Sequence, residues 1–163
     1  MIFSNPTEYA IRALSELVLM AGEVIPGKPR SGLVMLDKLT EQAGLPREFL
    51  AKIFRQLVER GILNSAKGPG GGFALARPAH EISLLQIVEA VDGQSQVEGC
   101  VVGLAKCNDH MPCPQHDLFK PIRQRLRSYL ATTTLADTAA SLKEKKAISE
   151  KDTMIDVEEI APK

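Results

Sequence analysis

The sequence predicts a mainly α-helical chain interrupted by one short β-hairpin and extended by a long amphipathic helix. Three observations carry that reading. Apolar residues recur at helical spacing in several stretches separated by glycine and proline; the hexapeptide Lys67-Gly-Pro-Gly-Gly-Gly72 divides two short apolar runs; and Leu118, Ile122, Leu126 and Leu130 recur at every fourth position. At 163 residues the chain suits one domain with an appendage.

Asn5-Pro6-Thr7-Glu8 places a capping residue, a proline at the first helical position and an acid two residues later, so a helix is expected to start there. Its apolar stripe is Ala10, Ala13, Leu14, Leu17, Val18 and Ala21. Gly22 to Gly32, broken by Pro26, Gly27 and Pro29, reads as a loop. A second helix over Leu36 to Ala43 stops at Gly44, and Pro46 stands where a third begins. In that third helix Phe49, Leu50, Ile53, Phe54, Leu57 and Val58 form the expected buried face. Arg47, Glu48, Ala51, Lys52, Arg55 and Gln56 are left facing outward. Two short helices joined through a glycine, the second with a basic outer face, make a helix-turn-helix pattern.

Strand-like pieces at Ile62 to Ser65 and Phe73 to Leu75 then flank the glycine-rich tip, which reads as a hairpin wing. Ser83-Leu84-Leu85-Gln86 is a capping box opening a helix that stops at Asp92-Gly93. From about Pro114 to Thr132 the apolar stripe lies opposite Arg123, Arg125 and Arg127, and such a helix, far from the core, is expected to pack on a partner chain. From Lys143 onward charges mix with few large apolar residues, so a mobile tail is expected.

Formal net charge is zero, yet between Pro46 and Pro78 the basic residues Arg47, Lys52, Arg55, Arg60, Lys67 and Arg77 face only Glu48 and Glu59. A solvated charged face is the ordinary explanation of such a helix; the adjoining wing favours double-stranded DNA. Arg47, Glu48, Ala51, Lys52 and Arg55 are the expected groove-facing residues, with Lys67, Gly68, Gly70 and Gly71 approaching the minor groove. The glycine loop lacks the lysine and serine of a nucleotide-binding loop and does not lead into a helix, so nucleotide phosphate is not its expected ligand.

Cys100, Cys107 and Cys113 are the only cysteines, gathered in one polar segment with His110 and His116. An odd, local set of thiols argues against a disulfide framework and agrees with a reducing, cytoplasmic setting. No apolar run reaches the roughly 18 residues needed to span a bilayer, so no membrane partner is expected. Six residues separate the first two cysteines and five the next two, wider than the paired spacing usual for structural zinc. Three readings stand: a cluster or other metal site, a zinc site of three cysteines with His116, and free redox-active thiols. Glu8 is a capping-box acid, or a carboxylate ligand if a partner subunit's cysteine loop reaches it. No pairing of nucleophile and base suggests catalysis, so an enzyme is not expected.

Lys67-Gly-Pro-Gly-Gly-Gly-Phe73, Ile87-Val-Glu-Ala-Val-Asp-Gly93 and the three cysteines, in that order, resemble the Rrf-type winged-helix iron–sulfur regulators that include IscR, NsrR and RirA. The resemblance covers roughly residues 1 to 140. It implies a homodimer in which the long helix crosses to the other subunit, and an iron–sulfur cluster whose state sets DNA affinity. Cys100, Cys107 and Cys113 are then the cysteine ligands. His116 in a Cys-x-x-His position implies 2Fe–2S; Glu8 of a partner chain, as in NsrR-like members, implies 4Fe–4S. The first cysteine gap is one residue longer than the IscR-like pattern, and Ala51 replaces a glutamate that helps set DNA specificity there.

The expected organisation is a winged helix-turn-helix DNA-binding domain over 1–93, a cysteine-bearing cluster loop over 94–116, a dimerisation helix and C-terminal helix over 114–142, and a disordered tail over 143–163. The implied function is a homodimeric transcriptional repressor sensing iron–sulfur or iron status, nitric oxide or redox state. The alternative is a winged-helix regulator using its cysteines as a thiol switch or zinc site.

Overall fold

The computed structural model of the chain describes residues 3–21, 32–93, 95–105 and 107–159, with 95, 96 and 150–159 described by backbone alone. Most of the loop read at 22–32 therefore lies outside the described residues. None of the helices is long and apolar enough to cross a membrane among the described residues.

Helix α1 (Asn5–Ala21) buries Ala10, Ala13, Leu14 and Leu17 completely, as their spacing requires. Its cap is Ser4 rather than Asn5. The Ser4 hydroxyl accepts the Thr7 N–H at 3.3 Å and donates to the Asp92 carboxylate, while the Ser4 N–H donates to Asp92 at 3.1 Å. One serine thus closes the helix end and ties it to a residue far along the chain, a long-range partner that a local capping rule cannot see.

Helices α2 (Leu36–Ala43) and α3 (Arg47–Glu59) are joined at Gly44, whose φ of 62° turns the chain. Gly44 N–H donates to Glu41 and Leu45 N–H to Thr40, so the last carbonyls of α2 are satisfied and α3 leaves at a fixed angle. Leu50, Ile53, Phe54 and Leu57 of α3 are buried, but Phe49 is not. It stays 54% exposed, edge-on to Tyr9 with ring centroids 6.4 Å apart. The buried stripe of α3 is narrower than the apolar residues allow, because α1 and α4 already cover its inner side.

Strands β1 (Leu63–Ala66) and β2 (Gly72–Leu75) pair antiparallel with Leu63 opposite Leu75 and Ala66 opposite Gly72. β1 lies one residue nearer the tip than its apolar run suggests, and β2 begins one residue nearer the tip and ends at Leu75 as expected. Val34 adds a bridge to Phe73, exchanging both backbone hydrogen bonds at 2.9 Å. Phe73 also meets Phe54 edge-on at 5.0 Å, which locks the hairpin to the inner face of α3.

After a single 3-10 turn at Ala79–Glu81, α4 (Leu84–Val91) starts with the expected capping box. Ser83 accepts from Gln86 N–H, and the Gln86 side chain accepts from Ser83 N–H. A short helix α5 (Ser95–Glu98), unsignalled by the composition, precedes the cysteines. Helix α6 (His116–Thr132) begins at His116, two residues later than the proline suggested, and contains Pro121.

Helix α7 (Leu135–Glu159) runs into the stretch 143–163 that was expected as a disordered tail. It packs along α1, and Lys146 donates to both oxygens of the buried Glu16 at 2.6 and 2.9 Å. A stretch with little apolar content is held as helix here by neighbouring turns that are anchored on α1. Residues 160–163 lie outside the described residues.

Candidate nucleic-acid interface and thiol site

Two groups of residues are brought together. The first is a groove of about 550 Å³ between α3 and the hairpin, lined by Arg47, Arg55 and Lys67 together with Asp37, Ser65 and Gly71. Glu48, Lys52, Arg55 and Lys67 are exposed and Ala51 is half-buried on the outer side of α3. Arg47 gives part of its charge to α2, its Nε donating to Asp37 at 2.5 Å. Both partners are well exposed, so the pair orients the start of α3 more than it stabilises the fold.

The hairpin tip turns at Gly68 and Gly70, with φ of 90° and 72°. A β-carbon at Gly71 would sit on the carbonyl oxygen of Ala66, so the tip is bare backbone beside Lys67. The basic segment found in the sequence is split by folding. Arg60 and Arg77 line a separate cleft with Gln86 and Glu89, so local charge density overstated the surface that faces the groove. Met35, Asp37 and Ser65 line the groove without having been singled out; no spacing or composition marks them, since only the return of the hairpin to the α2–α3 pair brings them there.

The second group is the cysteine segment. The Cys100 thiol interacts with both Cys113 and Cys107, so the three sulfurs converge despite their wide spacing in sequence. Hydrogen bonds from the backbone of Val102, then Leu104, draw the Cys100 thiol below its ordinary range, and Cys113 and Cys107 add to that. Burial pushes the Cys113 thiol up. Cys113 is buried and Cys100 and Cys107 are half-buried, beside a cavity of about 540 Å³ that Arg123, Gln124 and Arg127 also line.

His116, expected as a ligand, is only 4% exposed. Its Nδ1 lies 3.4 Å from Cys107 Sγ and its Nε2 lies 2.8 Å from Asp109 Oδ1. Lys120 Nζ donates to the same Asp109 oxygen at 2.6 Å. The Lys120 ammonium first, and His116 second, hold the Asp109 carboxyl down to about 2. His110 is exposed and apart from this contact chain. Glu8 is half-buried on α1, and among the described residues no hydrogen bond joins it to a cysteine.

Among the described residues, no three Cys, His, Asp or Glu side chains are arranged to hold a single metal ion. The donor chemistry of three convergent thiols and one imidazole does fit an iron–sulfur cluster, in which the ligands sit on different atoms of an extended group. Helix α6 reaches back over this segment. Arg123 Nη1 donates to the carbonyls of Glu98 and Gly99 at 3.4 and 3.3 Å, and Arg127 pairs with Glu98 at 2.8 Å.

A helix-turn-helix with a glycine-tipped hairpin beside a basic groove defines a winged-helix DNA-binding protein. Comparison with known proteins agrees with this class. Residues 3–141 match the Rrf2 family, described as iron-dependent transcriptional regulators, and the chain belongs to that family. A protein of Aquifex aeolicus named as an HTH-type transcriptional regulator is 32% identical over 139 residues, covering 84% of this chain and 90% of that one. The regulator IscR of Xenorhabdus nematophila is 28% identical over 137 residues, covering 84% and 78%. Among solved structures, CymR, the global cysteine regulator of B. subtilis, superimposes with a TM-score of 0.68 at 20% identity over 85% of this chain and 96% of its own. IscR of T. potens superimposes with a TM-score of 0.65 at 22% identity over 87% and 88%. The chain is accordingly a DNA-binding transcriptional regulator with the winged-helix fold of this family.

Proposed function

We propose that the chain is a homodimeric transcriptional repressor whose operator affinity follows the state of an iron–sulfur cluster held by Cys100, Cys107, Cys113 and His116. The observation that carries this reading is the convergence of the three thiols and the His116 imidazole in the segment between α4 and α6. When bound, such a group supplies a redox-active, oxidant-sensitive centre. His116 is taken as the fourth ligand, hence 2Fe–2S, because its Nδ1 already lies 3.4 Å from Cys107 Sγ. Glu8 of a partner subunit, hence 4Fe–4S, is the alternative.

The chain's own residues explain how the segment can speak to DNA. Arg123 and Arg127 hold the residues just before Cys100 to α6, and α4, which shares contacts with α3, also packs on α6. A change in how Cys100 is held therefore acts on α5, α6 and, through α4, on the helix that faces the groove. Iron–sulfur status, nitric oxide and redox state are the signals that act on such a centre.

Anaerobic purification, iron and sulfide analysis and visible absorption test the cluster; binding to the promoter DNA upstream of its own gene, with and without the cluster, tests the coupling. Brown protein with iron and sulfide, and operator affinity that changes when these are lost, is the expected result. Colourless protein without iron overturns the cluster and leaves DNA binding standing. Comparing Glu8→Ala with His116→Ala separates the two ligand sets.

A second reading is favoured by one contact chain, Cys107–His116–Asp109. The imidazole beside Cys107 is placed to take the thiol proton as the sulfur reacts. Hydrogen peroxide would then oxidise Cys107 to a sulfenic acid with release of water, and the Cys100 thiol would displace a second water to form a disulfide. Colourless protein whose DNA affinity changes with peroxide and returns with a dithiol reductant would establish this switch instead.

A further inference from the structure

His116 has both ring nitrogens enclosed, and each must find a partner. An ionised carboxylate only accepts hydrogen bonds, so the 2.8 Å contact with Asp109 places the ring hydrogen on Nε2. That leaves Nδ1 as the nitrogen that faces Cys107 Sγ, at 3.4 Å. Metal-binding histidines commonly donate their other N–H to a carboxylate, which sets the tautomer and raises the basicity of the ligating nitrogen.

Asp109 is itself held for this task. Lys120 donates to the same oxygen at 2.6 Å, and Lys120 stands four residues beyond His116 on the same face of α6. One helix therefore carries both the imidazole and the cation that grip the carboxylate. On the other side, Asn108 Oδ1 accepts the N–H groups of His110 and Met111 at 3.0 and 2.9 Å, closing a turn around Asp109.

The geometry points to Asp109, backed by Lys120, as the positioning residue that directs His116 Nδ1 toward Cys107 and so makes Nδ1 the fourth cluster ligand. This rests on the cluster reading proposed above. It assigns Asp109 no contact with the cluster itself; Asp109 acts through the imidazole, and Lys120 acts through Asp109. The two have opposite electrostatic effects. Asp109→Asn removes a negative charge and weakens the basicity of the ligand, so the midpoint potential rises. Lys120→Gln removes a positive charge and frees Asp109 to accept more strongly, so the potential falls.

The test uses full-length protein purified anaerobically as wild type, Asp109→Asn, Asp109→Glu, Lys120→Gln and His116→Ala. Iron and sulfide content of the wild type is read first. If these are absent, the cluster reading fails and this assignment fails with it. If they are present, pulsed electron paramagnetic resonance of the reduced protein should show strong nitrogen coupling that His116→Ala lacks. Asp109→Asn should lose iron about 10- to 100-fold faster to a chelator, with a raised potential, and Asp109→Glu should restore both. Lys120→Gln should shift the potential downward, and it carries the test alone if circular dichroism shows Asp109→Asn unfolded. Wild type with a cluster but no nitrogen coupling overturns the assignment and spares the cluster. So does a potential that neither Asp109→Asn nor Lys120→Gln moves, or one that both move in the same direction, which is what simple loosening of the loop would give.

Discussion

Lys67 stands at the foot of a hairpin tip whose backbone is exposed, beside the groove that Arg47 and Arg55 share. A lysine that meets phosphate contributes equally to every sequence, so Lys67→Ala is expected to weaken operator and unrelated DNA alike. Titrations over a salt series should show the slope of affinity against salt reduced by about 1. Gly72 has a different duty. A β-carbon there would sit on the carbonyl of Val34, the residue that bridges to Phe73. Gly72→Ala is therefore expected to lower stability by about 1–3 kcal/mol in denaturant unfolding, through backbone crowding that no side chain can relieve. The thiols illustrate the limit of reading residues singly. Spacing made them candidates, and the contact of Cys107 with His116 needed the chain to fold back through Asn108 and Asp109.

Helix α7 begins with a reciprocal cap that the sequence reading passed over. Thr134 Oγ1 accepts the Asp137 N–H at 3.1 Å, and Asp137 Oδ2 accepts from the Thr134 N–H and hydroxyl at 2.9 and 2.7 Å. Thr134→Ala should lower stability by about 1 kcal/mol by denaturant unfolding. The Thr134 hydroxyl, and then its backbone N–H, hold the Asp137 carboxyl below the usual range. The folded state thus favours the ionised form, so this stabilisation is present above roughly pH 4, where the unfolded carboxyl is ionised, and is lost as pH falls through the lower folded value. Asp137→Asn should accordingly be less stable than the wild type at neutral pH, with the gap closing in acid. Cap signals such as Ser83-x-x-Gln86 and the Gly44 stop were readable because they are local. The extent of α7 was not, because this helix lies on α1, where Lys146 meets Glu16.

At the scale of the whole molecule, α6 leaves Leu118, Ile122 and Tyr129 72%, 59% and 56% exposed while Leu130 is fully buried. Such an apolar row on one helix is consistent with a second subunit. Wild type is expected to sediment as a dimer and Ile122→Glu as a monomer with weakened operator binding; a monomeric wild type would remove the homodimer from the proposed function. Helix type, the glycine stop, the hairpin and the order of groove, thiol segment and long helix follow from periods and turn residues a few positions apart, and these are legible in the chain because their causes are local. Which basic residues share the groove, that Phe49 stays outside, that Ser4 rather than Asn5 caps α1 by way of Asp92, and that His116 is buried between Cys107 and Asp109 depend on contacts between distant segments. Only the packed chain decides those, because burial and hydrogen-bond partnership are properties of three-dimensional neighbours and not of sequence neighbours.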